Sequence, residues 1–411
     1  MSKVVDYFLK YASYDTQSQP ETKINPSTDK QLELAKYLKA QMEELGIQDV
    51  SMSDRCYVYG TIPATVETDC PTVGFLAHMD TSSDYPDDPT NPQIIKNYDG
   101  GDIKLGDTEY VLSPEMFPFM KNYIGQDLIT TDGHTLLGAD DKAGIAEIMC
   151  MAEYFINHPE IPHGTIKIAF TPDEEIGHGV DNFDVEGFGA DVAYTVDGGA
   201  WGSMEYETFN AASLKVIVHG QNIHPGSAKG KMVNSVLIAM EYENMLPAFD
   251  KPQYTEMYEG FFHLNNMSGN VEQTTLNYIV RDHDMAAFEN RKALAVKVGE
   301  FLNAKYGEGT VEVILNDSYY NMAEKIRPHM YLLDIAAEAF KELGIDSPTI
   351  EPVRGGTDGA RLSYRGLPCP NLCTGGHNYH GKYEFICIQS MEKTVELLIK
   401  IAQKFKDVKK N

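Results

Sequence analysis

Cysteine is scarce in this chain. Six occur in 411 residues, at Cys56, Cys70, Cys150, Cys369, Cys373 and Cys387, and none forms a Cys-x-x-Cys pair. That argues against a disulfide-built scaffold and fits the reduced thiols of a cytoplasmic protein. Long apolar runs are missing too, since nothing approaches the ~18 residues that a membrane-spanning helix needs. The opening segment MSKVVDYFLKYASYDTQ carries Asp6 and Lys10 within its apolar stretch, so it reads as a short amphipathic helix and not as a signal peptide. Cations are in deficit, with 34 Lys and Arg against 61 Asp and Glu and a formal charge of -27. A surface of that sign repels phosphate backbones and anionic lipid, which argues against nucleic acid and membranes as partners. A cation would instead be drawn to any acidic cleft. No repeat or low-complexity segment is present. What remains is an ordinary globular composition, 42% hydrophobic and 23% charged, long enough for two or three domains.

Helical and strand-like periods alternate along the first half. Residues 28–31, Thr-Asp-Lys-Gln, fit a capping box. Leu32, Ala35, Leu38, Met42 and Leu45 follow at helical spacing, and Gly46 closes the helix. Apolar runs at Tyr57–Ile62, Val73–Ala77, Ile166–Phe170 and Val192–Val196 read as strands, with a helical pattern from Ala143 to Ile156 between the second and third. The alternation predicts an α/β domain with helices on the faces of a sheet. After about residue 208 the order becomes strand (Ser213–Val218), helix (Met232–Leu246), strand (Phe261–Leu264), strand (Leu276–Arg281), helix (Ala286–Asn303), strand (Val311–Leu315). That βαββαβ succession is a self-contained split βαβ unit. The first pattern returns beyond Asn321, with a helix at about Pro328–Leu343, a strand at Asn371–Thr374 and a last helix from about Ser390 to Lys406. One discontinuous domain, residues 1–208 and 323–411, is therefore expected, interrupted by an inserted ferredoxin-like domain at 209–322.

The side chains suited to chemistry gather at strand ends, where ligands of open α/β sheets bind. TVGFLAHMD ends in His78 and Asp80, two apart and so on one side of an extended chain. The carboxylate there can steady the imidazole, as carboxylates do for metal-bound histidines. GADDKAG opens a helix with Asp140 and Asp141. TIKIAFTPDEEIGHG ends a β-branched strand in Asp173, Glu174 and Glu175, whose mutual repulsion a cation would relieve. Asp173 stands where a His-Glu-x-x-His zinc helix would need its first histidine, which excludes that motif here. Val192–Val196 runs into Asp197 and two glycines, and NLCTGGHNYHGKYEF carries His377 and His380. Each signal alone is an ordinary loop histidine, helix cap or solvated turn. Together they make a histidine and carboxylate donor set, which suits zinc, with manganese or cobalt as substitutes.

The segments AHMDT at 77–81, GADDKAG at 138–144, TPDEEIGHG at 171–179, DGG at 197–199 and HPGSAKGKMVN at 224–234 carry a family resemblance. RGGTDGARLS at 354–363 and TGGHNYHGKYEF at 374–385 extend it. Over essentially its whole length the chain resembles the co-catalytic di-zinc aminopeptidases, carboxypeptidases and deacylases, and the last two segments resemble their tripeptidase branch. The resemblance implies a mixed-sheet catalytic domain with an inserted lid or dimerisation domain. It also implies two Zn2+ per subunit and tripeptide substrates, and it leaves the insertion open as a lid, as the surface of a homodimer, or as both. Residue by residue, Asp140 would bridge the ions, His78 and Asp197 would complete one site, and Glu175 and His380 the other. Asp80 would orient His78, and Glu174 would be the general base. The resemblance favours His380 over His377 as the ligand and implies a cis peptide between Asp140 and Asp141. His224 of the insertion would stabilise the tetrahedral oxyanion.

A peptide carboxylate suits arginine forks. Arg281 and Arg354 are the candidates, with Asn234 and Asn378 as polar helpers. Arg281 and Asn234 fall in the insertion, Arg354 and Asn378 in the main domain. A clamp of fixed reach would measure substrate length. The expected activity is removal of the N-terminal residue from tripeptides in the cytoplasm. Rival readings are a dipeptidase, carboxypeptidase or deacylase on the same scaffold, or a silent peptide-binding paralogue.

Overall fold

The apolar run Val73–His78 is buried at every residue, as a central strand of a parallel sheet must be. In the computed structural model, which describes residues 2–20, 22, 24–67 and 69–410, this strand lies inside an eight-stranded mixed sheet. The strand order is Gln48–Met52, Val58–Ile62, Ile166–Thr171, Val73–His78, Val192–Gly198, Asn371–Cys373, Ser203–Glu205, Thr349–Ile350. Ile166–Thr171, Val73–His78, Val192–Gly198 and Asn371–Cys373 run parallel, so their carboxyl ends open along one edge. Alternate residues feed the two faces. Leu76 and Ala193 join Phe183, Phe188 and Leu362 on one face. On the other, Phe75 and Tyr194 stack at 5.9 Å and Phe405 meets Tyr194 edge-on.

Helix Ala139–Asn157 packs on Val73–His78 and Val192–Gly198, flanked by Lys3–Ala12 and Ile388–Phe405. Gly144 sets that approach, because a Cβ there would lie 1.9 Å from the Val196 carbonyl oxygen and 2.5 Å from Asp141 Oδ1. Gly144→Ala is expected to lower stability by about 1–3 kcal/mol, read from the urea midpoint, because it drives the helix off the strand.

A second, antiparallel sheet of Gly376–His377, Phe385–Cys387, Leu128–Thr130 and Gln93–Ile95 carries the loop of His380. Strands of two or three residues are too short to show a period in the sequence. The capping box also turns out differently. The Thr28 hydroxyl donates to the Gln17 carbonyl (2.8 Å), and Gln31 turns inward to Asp173 (2.7 Å), so helix Gln31–Leu45 starts without a side-chain cap. Among the described residues no helix is long and apolar enough to cross a membrane.

The chain divides into two compact units. The larger runs to Tyr206 and resumes over Glu324–Glu351 and from Thr357 onward; the smaller is Glu207–Ala323 with Pro352–Gly356. Pro352–Gly356, expected in the main domain, belongs to the smaller unit, and Arg354 goes with it. The smaller unit's sheet has the order Phe261–Gly269, Gln273–Asp282, Asn210–His219, Val311–Tyr319, antiparallel throughout. Helices Ser235–Met245 and Met285–Tyr306 cover one face through Leu214, Val216, Tyr242, Leu276, Val298 and Leu302. The order along the chain is βαββαβ.

Candidate metal centre

Three parallel strand ends, one helix start and the loop of His380 converge in the larger unit. His78 is the last residue of its strand, Asp197 lies near the end of Val192–Gly198, and Glu174 and Glu175 follow Ile166–Thr171. His78 Nε2 lies 2.9 Å from Asp140 Oδ1 and 3.4 Å from Asp197 Oδ1. His380 Nε2 lies 3.1 Å from Asp140 Oδ2 and 2.9 Å from Glu175 Oε2. Asp140 therefore faces a different imidazole with each oxygen. The peptide between Asp140 and Asp141 is cis. Ligand atoms of His78, Asp140 and Glu175 fall within 4.8 Å of one another, as do those of His78, Asp141 and Asp197. His377 stands apart: its ring stacks on Phe119 and Phe385 and its Nε2 meets the Tyr123 hydroxyl.

Backbone groups of the site are held by other carboxylates. Asp80 Oδ1 accepts from the Glu174 N–H (2.9 Å) and Oδ2 from the Glu175 N–H (3.2 Å). Its contact with His78 Nδ1 is made mainly by its backbone carbonyl, at 2.9 Å, against 3.4 Å for the carboxylate. Asp173, with φ 56, accepts from Asn25, from the backbone and hydroxyl of Ser27 and from Gln31, which pins the turn before Glu174. Asp358 accepts from the Thr171 hydroxyl at 2.8 Å, and Glu384 accepts from four backbone N–H groups at residues 137–140. Neither Asp358 nor Glu384 stands out in the sequence, although both fall inside segments that carry the family resemblance.

So many buried acids side by side leave a strong negative field. Burial, and then the charge of Asp140, pushes Glu175 up to about 8. Burial raises Asp197 to about 6 and Asp358 to about 7, and lifts Glu174 and Asp141 well above the usual range. For Asp140 burial is outweighed by the hydrogen bonds of His380 and His78, which hold it well below. Burial likewise opposes, but does not prevent, a rise of His380 to about 11 beside Asp140 and Glu175. Glu175 Oε1 and Asp141 Oδ1 are buried without a hydrogen-bond partner, and such atoms are costly unless something ligates them. A pair of divalent cations fits this donor set of two imidazoles and several carboxylates.

The raised carboxyls give a sign to the pH response. Unfolded Asp and Glu titrate near 4, so a group raised to 6–8 in the fold stabilises it below pH ~4. That contribution is lost as pH climbs through the folded value. Metal-free protein is therefore expected to lose melting temperature between about pH 5 and 8, and added zinc to cancel most of the loss. Calorimetry with and without chelator checks this.

Five further candidates remain. Arg281 Nη1 is buried without a partner, its guanidinium lies over the Tyr319 ring at 4.9 Å, and the Tyr319 hydroxyl is also buried and unpartnered. Both residues flank Ala211 in register, whose small side chain lets them meet. Burial lowers Arg281 to about 10. Arg354 is partly engaged within the smaller unit. It donates to the carbonyls of Met257 (2.8 Å) and Glu259 (3.0 Å) and to the Thr255 hydroxyl (2.9 Å), and it lies over Phe209 and Phe261, so three of its five N–H donors clamp a loop. Asn378 turns its amide to the Tyr383 carbonyl (3.2 Å), and Asn234 Oδ1 caps helix Ser235–Met245 at Val236 (3.0 Å). His224 is exposed, and its Nδ1 accepts from the Gly226 N–H at 3.1 Å.

The chain matches peptidase family M20/M25/M40 over residues 131–404. It belongs to that family. Peptidase T of Caldanaerobacter subterraneus subsp. tengcongensis is 57% identical over 404 residues, covering 98% of both chains. Peptidase T of Alkaliphilus oremlandii is 55% identical over 406 residues, covering 98% of this chain and 99% of the relative. The crystal structure of aminopeptidase PepT from Bacillus cereus superposes with a TM-score of 0.77 at 24% identity, covering 98% of each chain. A Bacillus subtilis protein described as a dinuclear metal-binding peptidase of the M20 family gives 0.65 at 14% identity, again over 98% of each chain. Those two structures share the fold. As a member of the M20 family so close to peptidase T, the chain is a metallo-aminopeptidase, a hydrolase of peptide bonds.

Proposed function

We propose that this tripeptide aminopeptidase holds two zinc ions on one shared carboxylate and uses Glu174 as its base. Asp140 carries the reading, because its oxygens face His78 at 2.9 Å and His380 at 3.1 Å. His78, Asp140 and Asp197 would hold one ion, and Asp140, Glu175 and His380 the other, with Co2+ or Mn2+ as substitutes. Bound there, the pair would supply Lewis acidity to the scissile carbonyl.

The remaining steps belong to the chain's own residues. Glu174 takes the proton of the attacking water and passes it to the departing amine. Asp80 keeps Glu174 and Glu175 in place through their backbone. His224 donates to the carbonyl oxygen as it becomes an oxyanion. Its Nδ1 is already an acceptor, so the neutral ring carries its proton on Nε2, and one such donor contributes roughly 3 kcal/mol. Arg281, helped by Tyr319, receives the C-terminal carboxylate of the substrate. The reading includes a homodimer formed through the smaller unit.

Hydrolysis of a free tripeptide and of its N-acetyl form, before chelation, after it and after zinc return, tests the proposal. Cleavage of the free peptide alone, lost and restored with zinc, is expected. Equal cleavage of the blocked peptide would point to another hydrolase on this scaffold.

A further inference from the structure

One buried carboxylate that ligates nothing in this scheme addresses the backbone of the shared ligand itself. Glu384 is 1% exposed. Its Oε2 accepts from the N–H groups of Leu137 (2.6 Å) and Gly138 (3.0 Å), and its Oε1 from those of Ala139 (2.7 Å) and Asp140 (3.2 Å). Four successive N–H groups can converge on one anion because Gly138 is left-handed, at φ 75, which folds the turn into a concave nest. The regular ladder of the helix does not fix this turn. Asp140 (φ -89, ψ 103) and Asp141 (φ -122, ψ 30) are not helical. Glu384 arrives from the other ligand-bearing loop, four residues after His380. Its own backbone is anchored: its N–H donates to the Gly381 carbonyl (3.2 Å), its carbonyl accepts from Thr131 (3.3 Å), and Phe385 pairs with Thr130. One side chain thus ties the turn of Asp140 to the loop of His380.

We infer that Glu384 is a positioning residue of the metal centre, one that fixes the turn from which Asp140 aims its two oxygens at the two ion sites. The inference rests on the two-ion reading above. Glu384→Gln keeps the volume but sets an NH2 group against two of the four N–H donors. Zinc affinity of the chelator-treated variant, titrated with Zn2+ against a chromophoric chelator, is expected to fall roughly 10–100-fold, the usual effect of removing a residue that orients a ligand. KM for a tripeptide at saturating zinc is expected to stay unchanged. A purely structural role would lower the melting temperature and leave zinc affinity as in the wild type, and that result overturns the inference.

If Glu384→Gln does not fold, wild-type protein decides. Amide exchange at residues 137–140 is expected to be slow in the zinc-free state, and fast exchange there overturns the inference. The two readings fail separately. Wild-type protein that binds no zinc ends the two-ion reading and this inference with it. Two tight ions in both proteins remove only the part assigned to Glu384.

Discussion

Glu174→Gln is expected to keep both zinc ions and to lose about 10²–10⁴-fold in kcat. The amide has the shape of the carboxylate but cannot take a proton from water. Local geometry should survive, because Glu174 is held through its backbone N–H by Asp80 Oδ1 at 2.9 Å and not through its own side chain. KM should change little, since the group acts only once the proton begins to move. The neighbouring Glu175→Gln gives the contrast. Its Oε2 lies 2.9 Å from His380 Nε2 and its Oε1 is buried without a partner, so that variant should lose zinc affinity first. Metal content and steady-state kinetics of the two variants, measured together, separate base from ligand. Zinc loss in Glu174→Gln and retention in Glu175→Gln would exchange the two assignments.

Arg281→Met should lower kcat/KM for a tripeptide by about 10–150-fold. A hydrogen bond to a charged group is worth roughly 1.5–3 kcal/mol, and each 1.4 kcal/mol is about tenfold. The guanidinium has a buried Nη1 with no acceptor, beside an equally unpartnered Tyr319 hydroxyl. Two buried donors without acceptors are what a carboxylate would satisfy. Methionine retains much of the apolar stem over the Tyr319 ring, so the loss reports charge more than packing. The decisive comparison uses a tripeptide amidated at its C-terminus. Wild type should discriminate against the amide by a similar factor, and the variant should not. A variant that still prefers the free acid would move the carboxylate anchor away from Arg281.

The parts of the site legible in the sequence were those at the ends of long buried strands. His78 and Asp197 close apolar runs, and an apolar strand ending in a polar side chain leaves that side chain at the carboxyl edge of a parallel sheet. The acidic triplet at 173–175 was visible as three like charges. The structural part played by Asp173 was not, because its carboxylate accepts from Asn25, Ser27 and Gln31, far away in sequence. The same blindness hid Glu384, whose partners lie 244–247 residues away. A carboxylate that binds backbone N–H groups needs no matching residue type, so it leaves no pattern. Gln31 departs from the capping box for a related reason, since a buried carboxylate outcompetes its local partner. The hold of Arg354 on its loop leaves no pattern either, because the carbonyls that its Nη1 meets come from residues 257 and 259. The βαββαβ unit, whose strands alternate over many residues, was plain; the small sheet that carries His380 was not.

The central claim is that the carboxylate of Asp140 is shared by two cations. Crystals grown with zinc and measured at its absorption edge test this most directly. The account expects two anomalous peaks, one among His78, Asp140 and Asp197, the other among Asp140, Glu175 and His380, with one Asp140 oxygen on each. A single peak, or two peaks of which only one touches Asp140, would contradict it.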